Sequence, residues 1–315
     1  MNRSKMLTHG ALLTAIFIGL LLATVFVPLI EIVTMFILPI PFIIFAYKYD
    51  WKPSLVMFTA AILLSSLLAT IYSLPITVLM GLGGVMIGSA MHKKLTAYET
   101  WARGTLGFVV GLLLIFLISQ LLFNVNLLDE IYSTIDASMQ TSQQLMNQIG
   151  LGAQSEEQLQ LMEEQLDMLK VLLPVGIVLL AIMQAFVAQW IGYRVVNRLE
   201  KKKFAFPPFR NLQFPVSLVW IYFFALIISL FGLDPSSAFY HAINNVLVLA
   251  GLLMTLQGFS FIFFYAHQKN KSKALPIVCV IVTLLLPTLL LYLVRILGII
   301  DIGFRLRDRI SKGNK

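Results

Sequence analysis

Residues 7–27 read LTHGALLTAIFIGLLLATVFV, a stretch without one charged side chain. As helix it would rise about 31 Å at ~1.5 Å per residue, enough to cross a hydrocarbon core of about 30 Å. Lipid accepts such a surface provided that the backbone pairs its own polar groups, which a helix does. The stretch therefore predicts a membrane span. It is longer than a signal-peptide core and has no evident cleavage site, and Arg3 and Lys5 ahead of it fit a retained helix with a cytoplasmic N terminus. Ala11, Ala15, Gly19 and Ala23 recur at every fourth position. That spacing stacks them on one face, where missing side chains let another backbone come close and gain packing that lipid cannot supply. One partner helix is implied, in this chain or in another protein.

Working outward, comparable apolar stretches occupy 32–47, 54–72, 74–91, 104–123, 171–191, 216–233, 242–266 and 275–300. With 59% hydrophobic and 12% charged residues, against roughly 25% charged in soluble domains, the chain reads as an all-α, polytopic helical membrane protein. It has about nine transmembrane helices, or eight if the last stretch folds back at Pro287. The second is short and carries Pro39 and Pro41, whose missing backbone donors predict a break. The fourth holds Gly81, Gly83, Gly84 and Gly88, suited to close packing or local unwinding.

The net charge of +8 is not spread evenly. Short loops rich in Lys and Arg stay cytoplasmic. Alternate loops carry Arg3 and Lys5; Lys48 and Lys52; Lys93, Lys94 and Arg103; Arg194, Arg198, Lys201, Lys202, Lys203 and Arg210; then Lys269, Lys271 and Lys273, together 16 of the 23 basic residues. The intervening loops hold Glu31, Asp234 and the acidic stretch 124–170. Membrane topology thus accounts for the charge, and no nucleic-acid partner is expected; the lipid bilayer is. A nine-span chain would export Arg305, Arg307 and Arg309, which breaks the pattern, whereas a re-entrant hairpin at Pro287 would keep them inside. Nine spans are the expectation here, with Arg295 reaching a headgroup at the end of the last.

Within 124–170, Leu128, Ile131, Ile135 and Met139, then Leu159, Met162, Leu166 and Leu169, recur at helical spacing, and Ser155 with Gln158 matches a capping box. An extramembrane helical hairpin is predicted. Its second helix would run from Ser155 to Leu199 if Pro174 only kinks it.

Functional chemistry is sparse. Cys279 stands alone, so no intramolecular disulfide forms. There is no Gly-x-x-x-x-Gly-Lys-Ser/Thr loop, no His-Glu-x-x-His and no Gly-x-Ser-x-Gly, which points away from an ATPase, a zinc protease or a serine hydrolase. No catalytic residue, metal or cofactor is expected, and the chain reads as non-enzymatic. Candidate ligand contacts are Glu31, Asn124, Asn126 and Gln189; their convergence on one outward cavity would favour small-molecule capture, and their scatter a scaffold binding other membrane proteins. Gln184 and Gln257 are expected to tie helices together.

The segments KMLTHGALLTA (5–15), LPIPFII (38–44) and GIIDIGFRLR (298–307) resemble the YybS family of uncharacterised membrane proteins of Gram-positive bacteria. Residues 1–200 also resemble the six-helix, substrate-binding S component of energy-coupling-factor transporters, in span number, irregular second span and small-residue stripe. That likeness implies contact with a membrane coupling subunit through Ala11 and Ala15, extending to Gly19. S components usually end after six helices, whereas residues 201–315 add an accessory region of two or three spans with a basic tail.

Overall fold

A computed structural model of the chain describes residues 3–148, 166, 168–234 and 236–312. Among these residues the secondary structure is helical, without strands. Among the described residues, eight helices are long and apolar enough to cross a membrane. The chain divides into two compact units, Met1–Phe206 and Pro207–Lys315. The division falls just past the basic loop because Asn197 clamps the returning chain: its amide donates to the Phe204 carbonyl and accepts from the Phe204 N–H, both at 2.7 Å.

The first unit contains α1 (Arg3–Phe26), α2 (Glu31–Ile37), α3 (Ile40–Tyr49), α4 (Trp51–Leu68), α5 (Leu74–His92), α6 (Ala97–Phe123), α7 (Leu127–Gln148) and α8 (Leu173–Glu200). Helices α2 and α3 together form the irregular second span, broken at Leu38–Pro39 as the prolines predict. The break is short: Leu38 N–H still donates to the Thr34 carbonyl (2.8 Å) and Ile43 N–H to that of Pro39 (3.0 Å).

Helix α5 is the hub. Its glycines serve packing rather than unwinding, because a Cβ on Gly84 would stand 2.6 Å from the Pro39 carbonyl oxygen and one on Gly88 2.5 Å from that of Ile43. Phe108 of α6 lies against Gly83, and Phe42 packs edge-on against Phe17 of α1. Two glutamines then fix α8: the half-buried Gln184 donates to the Met35 carbonyl (2.7 Å), and the buried Gln189 to the Ala97 carbonyl (2.9 Å) and the Tyr193 hydroxyl (2.7 Å).

The basic loops of this unit gather at one end. His9 of α1 meets Tyr49 of α3, Lys48 pairs with Glu200 at 3.3 Å, and His92 Nδ1 contacts the Tyr47 carbonyl at 2.7 Å. At the other end Thr24 donates to Thr34 and Tyr72 stacks on Phe123. The alternation of charge along the sequence is thus an alternation of ends in space.

Asn124 ends α6 in a left-handed cap, and α7 follows after Asn126. Asp136 of α7 pairs with Lys170 at 2.9 Å. The capping box and second helix predicted from Ser155 lie outside the described residues. The continuous helix to Leu199 is not observed: the chain makes a turn at Leu172, and Pro174 sits in the first turn of α8, where its missing N–H costs nothing.

The second unit contains α9 (Ser217–Ser229), α10 (Ala238–Gln268), α11 (Ala274–Leu285), α12 (Pro287–Phe304) and α13 (Leu306–Lys312). The seventh apolar stretch yields only the 13-residue α9, and the ninth is not one span but two helices parted at Leu286–Pro287. Successive contacts show that α12 runs in the same direction as α10. Arg295 lies against Gly251, Gly298 against Met254, Asp301 against Gln257, and Arg307 against Ser260 and Phe264. The returning α11 and α12 therefore form a hairpin that brings the tail back to the C-terminal end of α10, beside Lys269, Lys271 and Lys273. This is the fold-back arrangement, and it removes the charge conflict of the nine-span reading. Arg295 is corrected too: it sits midway along α12, packed on Gly251, its Nε buried and without a partner, rather than at a helix end.

Large apolar side chains on the outer faces, among them Leu67, Leu121 and Leu285, are exposed. Such a surface is covered by lipid chains, so the molecule is a multi-pass membrane protein in contact with the bilayer.

Candidate functional site

Helix α1 sorts its residues by face. Leu13, Thr14, Phe17, Ile18 and Leu21 are buried against the unit's core, and Gly10 fits under Phe45, where a Cβ would come within 3.2 Å. Ala11, Ala15 and Gly19 lie on the other side and are exposed, with Ala23 half-buried. A Cβ on Gly19 would meet nothing within 4 Å. The small residues of this stripe are therefore not required by packing within their own unit.

Ala11, Ala15 and Gly19, though not Ala23, line an apolar groove of about 680 Å³ between α1 and α4. Phe45 and Met57 contribute to its floor, and Val56, Ala60, Leu64 and Leu68 of α4 form the facing wall. On α1 the groove extends from Met6 to Leu22, about 24 Å at ~1.5 Å per residue, close to the depth of a hydrocarbon core. Among the described residues its lining holds no charged side chain. It offers shape and dispersion contacts to an elongated apolar body.

The candidate ligand contacts are not brought together. Glu31 is exposed in the first turn of α2. Asn124 is the exposed left-handed cap of α6, and Asn126 accepts from Leu128 N–H at 3.1 Å, opening α7. Gln189 is wholly buried and bonded to Ala97, at the opposite end of α6 from Asn124; the 27 residues of that helix put about 40 Å between the two ends. Glu31 and Gln189 are also at different depths. Because Met35 pairs with Gln184, Ile43 packs on Gly192 and Lys48 pairs with Glu200, the two residues are offset by about 13 Å along parallel helices. The Gln189 Oε1 is buried without a partner, but no described polar cavity opens beside it.

The second unit holds a polar core of which the sequence singles out only Gln257, as a tie between helices. Asp301 and Arg307 are buried and paired at 2.8 Å. Gln257 donates to the same carboxylate oxygen and accepts from Phe214 N–H, while Arg307 donates to the Arg210 carbonyl (2.7 Å) and Ser260 (3.1 Å). This network pins the tail to α10 and to the loop before α9. Both charges lie within GIIDIGFRLR, yet nothing in that string shows that the chain turns at Arg305, whose backbone is left-handed (φ 50°), and carries Arg307 back onto Asp301.

No solved structure matches the chain. A relative in Bacillus subtilis strain 168, the uncharacterized protein YybS, is 28% identical over 311 residues, covering 99% of this chain and all of that one. The model of a family described as predicted membrane proteins, DUF2232, matches residues 15–302, so the chain belongs to the DUF2232 family of predicted membrane proteins.

Proposed function

We propose that this is a non-enzymatic membrane protein whose first unit docks a transmembrane helix of a second membrane protein in the α1–α4 groove, as an S component engages its coupling subunit. The observation that carries the reading is the outward face of α1, where Ala11, Ala15 and Gly19 are small although nothing in their own unit crowds them. A helix seated there would gain close backbone approach along most of the bilayer depth. In the resembling transporters the matching small-residue stripe is what contacts the coupling subunit, and by position that contact falls to these same residues. Small-molecule capture is the further element of that likeness, and a second reading omits it: the scatter of Glu31, Asn124, Asn126 and Gln189 favours a scaffold that binds partners and carries nothing.

Native mass spectrometry of the protein extracted in mild detergent from its own membranes tests both. A co-extracted membrane protein that is lost in Ala11→Leu/Ala15→Leu, with the variant still monodisperse, supports docking in the groove. A retained stoichiometric small molecule adds the transport-related element. Co-extraction unaffected by the two leucines contradicts the proposal.

A further inference from the structure

The basic end of the first unit contains a second recess, unlike the groove in every respect. It has a volume of about 580 Å³ and is lined by Tyr47 and Lys48 of α3, Met91, His92 and Lys94 at the end of α5, and Glu200, Lys202, Lys203 and Phe204 after α8. Three segments distant in sequence thus deliver four lysines to one cleft, against the single carboxylate of Glu200. Lys48 takes that carboxylate at 3.3 Å. Among the described residues Lys94, Lys202 and Lys203 have no acidic partner.

The lysines are not on a dangling loop. Lys94 and Lys201 both adopt left-handed backbone (φ 56° and 50°), which ends α5 and α8 abruptly and reverses the chain. After the second reversal the Asn197 clamp holds Phe204, whose ring stacks on Tyr193 (5.3 Å between centroids) and meets Tyr47 edge-on (5.6 Å). His92 is fixed by its Nδ1 contact with the Tyr47 carbonyl. The cleft therefore has a rigid, partly apolar floor of Tyr47, Met91 and Phe204 beneath a rim of ammonium groups. Like charges lining one cleft repel, and an anion among them relieves the repulsion. A compact, multiply charged oxyanion takes N–H donors from several lysines at once.

We propose that this cleft binds the phosphate group of an anionic ligand. A phospholipid headgroup and a soluble phosphate share that chemistry, and the aromatic floor at the membrane boundary favours the lipid.

The test uses the full chain in neutral detergent, with two arms. Native mass spectrometry compares retention of added phosphatidylglycerol and phosphatidylcholine; thermal unfolding is followed during titration with inorganic phosphate against chloride at equal ionic strength. Preferential retention of phosphatidylglycerol, reduced about tenfold or more in Lys94→Gln/Lys202→Gln/Lys203→Gln, supports the cleft and identifies a lipid headgroup. Stabilisation by inorganic phosphate that the same triple variant loses, without lipid preference, supports it and identifies a soluble ligand. The corresponding triple Arg variant should keep the binding, and Lys271→Gln/Lys273→Gln, which changes charge elsewhere, should leave it unaltered. Binding by the triple Gln variant equal to that of the unmodified chain in both arms overturns the proposal, as does loss from the triple Arg variant or from the control.

Discussion

Helices α1 and α5 carry the same sequence signal, small residues four apart, and the fold uses it in opposite ways. On α5, Gly84 and Gly88 press against the carbonyls of Pro39 and Ile43, so the partner backbone is α3 of the same unit. On α1, Ala11, Ala15 and Gly19 face outward over the groove, and a Cβ on Gly19 would meet nothing within 4 Å. A small-residue stripe announces that some backbone comes close; it does not say whose. Where the chain supplies the partner, the stripe belongs to folding. Where it does not, as on α1, the stripe is open to the docking proposed above.

The comparison predicts a graded set of outcomes. Gly88→Leu forces a side chain into the Ile43 carbonyl and should cost more than about 3 kcal/mol, seen as loss of monodisperse protein on gel filtration in mild detergent. Survival of that variant with an unchanged melting temperature would erase the contrast with α1. Arg307→Met asks the same of the second unit's polar core. It leaves Asp301 buried beside Gln257 without its cation, at a cost of about 3–5 kcal/mol. Adding Asp301→Asn should recover much of the loss, because a neutral group replaces the stranded charge; thermal unfolding of the single and double variants reads the coupling. Gly19→Ala sits at the small end. A methyl in open space replaces a flexible residue in a helix, and the change in stability should stay within about 1 kcal/mol, measured as a small rise or no shift in melting temperature.

Much of this architecture is legible in the sequence. Charge-free stretches of about 20 residues mark spans because lipid leaves no other backbone solution, and Pro39 marks its own break. The gathering of Lys48, His92 and Glu200 at one end follows from the alternation of basic loops. What escapes the sequence depends on neighbours. The conflict over the tail is visible in the sequence and Pro287 marks the fold-back point, yet the choice between nine spans and a hairpin depends on α12 lying alongside α10. The same holds for the stripe on α1, whose direction is set by Phe17 and Leu21 turning inward on Phe42 and the rest of the core. The buried Asp301–Arg307 pair needs a chain reversal at Arg305 that no composition signals. Glu31, Asn124 and Asn126 sit at helix ends, where polar residues are satisfied by caps and solvent as readily as by ligands, so their presence alone carries little.

The most direct measurement of the central claim is photocrosslinking in native membranes from Ala15, replaced by a diazirine-bearing residue, with the lipid-facing Leu121 replaced in parallel. The account predicts a discrete adduct with one membrane protein from position 15, competed away when Ala11 is also Leu, and only lipid adducts from position 121. Lipid adducts alone from both positions would show that the groove is simply lipid-filled and would contradict it.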